Sequence, residues 1–139
     1  MTNTSQRGED STPPGYTAYQ YAVLRFVPRV EREEFVNIGV VVYSQSAATL
    51  TVAWHITPER ITALSPDADQ SLLADQLAIV DDVCAGVTGG GRPTLDTMLK
   101  RFGWITAPRS TVLQPGPMHG GMTRDIDGEA QRLLDRLVR

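Results

Sequence analysis

Between Tyr19 and Ile56 the chain runs three times through alternating patterns, over 19–27, 34–43 and 49–56, with short polar links between them. A period of two puts successive side chains on opposite faces, so each run is predicted to be a strand. Links this short cannot hold the crossover that parallel strands require, which leaves an antiparallel meander. The first run sets Ala22, Leu24 and Phe26 on one face and Tyr21, Val23, Arg25 and Val27 on the other. In the second, Val36, Ile38, Val40 and Val42 oppose Phe35, Asn37, Gly39, Val41 and Tyr43; the third sets Leu50, Val52, Trp54 and Ile56 on one face. Pro28 has no N–H for a ladder and ends the first strand, while Gly39 marks a bulge or a close backbone approach.

Helical signals follow. Thr57 and Pro58 open a short helix over 58–64. Asp67 and Gln70 have the spacing of a capping box for a helix over 68–85, with Leu73, Leu77, Val80 and Cys84 as its apolar stripe and Gly86 as its stop. After a glycine-rich link at 86–93, Thr94 is predicted to cap a helix to Arg101 that buries Leu95, Met98, Leu99 and Phe102 and ends at Gly103. Residues 104–114 read as extended, and 115–124 as a Pro- and Gly-rich loop. A last helix, 127–138, buries Ala130, Leu133, Leu134, Leu137 and Val138. The class is α+β: a small antiparallel sheet, made of a three-strand meander plus a later extended segment, covered by three to four helices. One domain over 16–139 is expected, behind a polar, unstructured tail at 1–15.

The 139 residues are 41% hydrophobic and 21% charged with a net charge of -3, so composition favours neither nucleic acid nor membrane as partner. No apolar run approaches the roughly 20 residues of a membrane span, and the first fifteen residues lack a signal-peptide core, so a cytoplasmic protein is expected. Twelve of the thirteen basic residues are arginine, the side chain suited to forked contacts with carboxylate or phosphate. The single cysteine, Cys84, excludes a disulfide framework within the chain and reads as a buried thiol.

Charge concentrates at 25–34, where Arg25, Arg29, Glu31, Arg32, Glu33 and Glu34 lie between two strands, with Asn37 just beyond. Arg25 and Asn37 share strand faces with apolar residues, so each needs polar partners: either an internal network that sets strand register, or a ligand. A second group follows the third helix: Arg109, Ser110 and Thr111 offer a donor fork and two hydroxyls, then Gln114 and His119. His119 ahead of Asp125 and Asp127 is a loop residue before a helix capped by one of them, a base with its orienter, or a metal pair. GxSxG, HExxH, GxGxxG and the P-loop pattern do not occur, and no catalytic residue, metal ligand set or cofactor is predicted.

The segments YQYAVLRFVPRVEREEFVNIGVVVYS and RFGWITAPRSTVLQPGPMHGGMTRD resemble the two signature blocks of a bacterial family of domains of unknown function, numbered 3037. The matching positions are Tyr21, Val23, Leu24, Arg25, Pro28, Arg32, Glu34, Asn37, Gly39 and Val40, then Arg101, Phe102, Ala107, Pro108, Arg109, Ser110, Gln114 and His119. The resemblance spans 19–139. It implies no assigned reaction, and it implies an association with HipA-like serine/threonine kinases, as an accessory or antitoxin-like partner. Three readings stand. The preferred one is a non-enzymatic binding or regulatory module that takes a kinase-like partner or a phosphate-bearing ligand at Arg25, Arg29, Arg32, Glu34, Asn37, Arg109, Ser110, Gln114 and His119. The others are an enzyme acting on a phosphate-containing substrate or nucleic acid, and polar clusters that are purely structural.

Overall fold

A computed structural model describes residues 12–109 and 111–139. The expected tail therefore lies outside the described residues up to position 11, and so does Ser110. Strands β1 (Thr17–Phe26), β2 (Val36–Ser44) and β3 (Thr49–Trp54) form the expected antiparallel meander. A fourth strand, β4 (Leu113–Thr123), pairs antiparallel with β1, giving the order β3-β2-β1-β4. Helices α1 (Pro58–Leu64), α2 (Gln70–Ala85) and α3 (Met98–Thr106) cover one face, and α4 (Ile126–Leu137) covers part of the other. The α+β class is as expected.

The sheet has two cores because helices lie on both sides. On the α1–α3 side Ala22, Leu24, Phe26, Ile38, Val41, Tyr43 and Leu50 pack against Ile61, Leu73, Leu77, Val80, Phe102 and Ile105. On the α4 side Tyr19, Val40 and Val42 meet Ala130, Leu133, Leu134 and Val138. The strict alternation predicted for β2 fails here: Ile38 and Val40 lie on opposite faces. The cause is a bulge on β2. Leu24 faces Gly39 and Arg25 faces Asn37, so Ile38 is an extra residue that reverses the phase. Gly39 also permits a close approach, since a Cβ there would lie 3.0 Å from the Trp54 Cβ and 3.1 Å from the Ala53 carbonyl oxygen.

Several boundaries move. Asp69, rather than Asp67, caps α2 by accepting from the Leu72 N–H at 3.0 Å. Thr97, rather than Thr94, caps α3 through the Lys100 N–H. Gly103 does not stop α3: nothing stands within 4 Å of where its Cβ would be, and the helix runs on to bury Ile105. Leu99, expected inside, is 61% exposed. The segment predicted as a loop, 115–124, is mostly strand. Pro115 and Pro117 hid it, yet both are tolerated because β4 is an edge strand and carries a bulge where the ladder skips Val23.

Candidate functional site

The pairing of β4 with β1 decides which polar residues meet. Arg25 is the register partner of Asn37 on β2 and of Gln114 on β4. Residues directly opposite in an antiparallel ladder share a face. Asn37, Arg25 and Gln114 therefore form one cross-strand row on the side of the sheet that carries α4.

Arg25 is held by shape rather than by charge. Its guanidinium carbon lies 4.0 Å from the ring centroid of Phe35, a residue that is 44% exposed. On another side is Gly116, where a Cβ would come within 2.9 Å of the guanidinium carbon and 3.1 Å of Nε. A side chain at 116 would displace the arginine. Among the described residues no carboxylate pairs with Arg25. Its Nε and the Asn37 Oδ1 are both buried without a hydrogen-bond partner among the described residues. The Asn37 amide nitrogen donates to the Leu137 carbonyl at 3.2 Å, and Arg60 Nη1 donates to the Val138 carbonyl at 2.5 Å, so both side chains bind the C-terminal end of α4. Gln114 donates to the Thr111 carbonyl at 2.9 Å.

The rest of the charged turn stands apart from this row. Val30–Arg32 form a single 3-10 turn that ends at Glu33 with φ 54°. Arg29 pairs with Glu31 at 2.9 Å and Arg32 with Glu34 at 2.6 Å, all four at the surface. The Arg32 guanidinium beside Glu34 holds that carboxyl below its usual range, but exposed pairs of this kind contribute little to stability.

The second block divides. His119 joins the α4 side, its ring 5.2 Å from that of Tyr21, its register partner. Arg25 lies four positions beyond Tyr21 on β1, a step of roughly 13 Å along the strand. Arg109 belongs to the opposite face. It stacks over Trp104 at 4.4 Å, donates to the Trp104 carbonyl, and lies near Leu24, Val80 and Ile105. Burial pushes its guanidinium below the usual value. It pairs with none of the turn carboxylates; its acceptor is a local backbone carbonyl.

One ionised group escapes the sequence patterns. Glu129 is 1% exposed and accepts from Tyr19, from Arg132 Nε at 2.9 Å and from Arg132 Nη2 at 2.7 Å. The bonds from Arg132, outweighing burial, and then the bond from Tyr19, hold its pKa down to about 2. Burial, then the bond to this carboxylate and its charge, push Tyr19 up to about 12. Gly121 makes room for the phenol, since a Cβ there would lie 2.6 Å from the Tyr19 hydroxyl. The available signal was spacing: Glu129 lies four residues before Leu133, on the stripe α4 buries, and three before Arg132. Together, Tyr19–Glu129 at one end of α4 and Asn37 with Arg60 at the other fix the helix beside the Arg25 row.

The family described as "Protein of unknown function (DUF3037)" matches residues 21–138. No curated protein and no solved structure matches the chain.

Proposed function

The chain belongs to the DUF3037 family over nearly all its length, and from that premise we propose that it is a binding module whose recognition point is the Asn37–Arg25–Gln114 row. The observation that carries this reading is a partly buried arginine, backed by an aromatic ring and a glycine, which among the described residues has no carboxylate partner and whose buried Nε–H has no acceptor. A guanidinium so placed has lost part of its hydration without gaining an ion pair, which favours an incoming anion. A carboxylate or phosphoryl group of a partner fits the planar fork, and the amides of Asn37 and Gln114 flank it on the neighbouring strands. Chemistry would ask for more than this row supplies, because its members are donors and amides and the His119 imidazole stands roughly 13 Å along the strand.

The partner class we assign is a HipA-like kinase, engaged in an accessory or antitoxin-like role. The test is co-expression with such a kinase followed by capture and affinity measurement. Arg25→Met should weaken binding by about tenfold or more, and Arg25→Lys should recover little, because a point charge does not replace a fork. Arg29→Ala, which removes only an exposed pair, should bind as the unaltered chain does. Equal loss for Arg29→Ala would move the site to the turn, and the absence of any complex would refute the partner.

A further inference from the structure

We infer that β4 is a homodimer edge, along which two copies of this chain join antiparallel about a two-fold axis at Gly120. The inference begins with one hydrogen bond. The Val27 N–H donates to the Val112 carbonyl at 2.7 Å, which sets the class of the pairs that follow. Hydrogen-bonded pairs recur at every second residue, so Arg25, Tyr21 and Tyr19 turn their backbone groups toward β4. Both ladder irregularities add their extra residue to β2 or β4, leaving β1 regular, so this parity carries along its length. His119 and Gly121, the partners of Tyr21 and Tyr19, therefore point inward. Met118, Gly120 and Met122 point their N–H and C=O groups away from the sheet.

Among the described residues, that outer edge has none of the usual protection. Residues 111–123 contain no Asp, Glu, Lys or Arg, and both prolines of the strand lie before Met118. Met118 is 44% and Met122 52% exposed, and Gly120 between them is open. The opposite edge, β3, differs: Leu50 is buried, Val52 and Trp54 pack on the core, and the Trp54 indole donates to Asp81 of α2 at 2.9 Å.

A two-fold axis at Gly120 pairs Met118 of one copy with Met122 of the other, Gly120 with Gly120, and Met122 with Met118. All three are hydrogen-bonded pairs, about six bonds in total, and four methionines gather on one face. With no charge along the strand, the copies meet without like-charge repulsion. A heterologous strand would leave this matched methionine spacing unused, so a second copy is the occupant. The contact is small by the standard of specific interfaces, which puts the dimer among weak, concentration-dependent associations.

Sedimentation velocity on the full chain, over roughly 1 to 300 μM, tests this. The unaltered chain should pass from 15.2 kDa to twice that mass. Gly120→Pro removes the outward N–H at the axis while sparing the β1 ladder, and Met122→Lys or Met118→Glu puts a charge into the methionine pair. Each should weaken dimerisation by about tenfold or more. Combining Met118→Glu with Met122→Lys sets opposite charges facing each other across the axis and should restore a salt-sensitive dimer. Circular dichroism checks folding, and Met122→Lys carries the test if Gly120→Pro misfolds. A chain that stays at 15.2 kDa throughout overturns the inference, even if another protein binds this edge. So do variants that dimerise undiminished, or a double variant no better than the singles.

Discussion

Two adjacent glycines of β4 should respond to the same substitution in opposite ways. A Cβ at Gly121 would stand 2.6 Å from both Cζ and the hydroxyl of Tyr19 and 3.1 Å from Cε1, whereas a Cβ at Gly120 meets only the Tyr19 carbonyl oxygen at 3.9 Å. In Gly121→Ala the phenol cannot bend away, since it is the rigid end of a ring that is 7% exposed. The ring must swing as a unit and release Glu129, which stays buried with one partner fewer. Overpacking costs about 1–3 kcal/mol, and loss of a hydrogen bond to a buried carboxylate about 1.5–3 kcal/mol. The two are alternatives in part, because a ring that moves relieves the clash, so the expected total is about 2–4 kcal/mol. For a chain of this size that is roughly 8–16 °C in Tm. Gly120→Ala should be neutral or stabilising by up to about 1 kcal/mol, through reduced freedom of the unfolded chain. Urea unfolding at low micromolar protein, followed by tryptophan fluorescence, measures both. In Tyr19→Phe the hydroxyl is gone, and the cost of Gly121→Ala should fall by about half. Equal losses at the two glycines, or a Gly121→Ala cost unchanged in Tyr19→Phe, would refute the reasoning.

The same cluster sets a pH window. Glu129 falls from 4.5 to about 2 in the fold, so its contribution is complete above pH 4.5 and disappears as pH drops toward 2. Tyr19 rises from 10.0 to about 12, so its contribution holds below pH 10 and is lost toward 12. Urea midpoints against pH should show both limbs, and Glu129→Gln should flatten the acid one. Cys84, pushed up to about 12 by burial and by the charge of Asp81, should react with iodoacetamide at pH 8 about a hundredfold more slowly folded than in urea. Asn37→Ala removes the bond to Leu137 and should cost about 1 kcal/mol, with faster amide exchange confined to the last turn of α4.

Local rules carried much of the fold. Period two in 19–27 and 49–56 gave strands with the expected inward faces, and Thr57-Pro58 and Gly86 marked helix ends where the chain has them. These signals are local because a cap or an alternating face involves residues a few positions apart. β4 was hidden for the opposite reason. Its proline- and glycine-rich sequence has little strand preference of its own, and its ladder comes from β1, about a hundred residues earlier. That pairing placed Gln114 beside Arg25 and His119 beside Tyr21, and it left Met118, Gly120 and Met122 at an open edge. It also left Arg109 on the far face, although spacing alone offered it as a companion of the charged turn. The sequence by itself determined which residues demand polar partners, because burial of a strand face follows from its period. Which partners they find depends on strand order, bulges and the seat of α4. Those were decided by long-range packing, which no local pattern encodes.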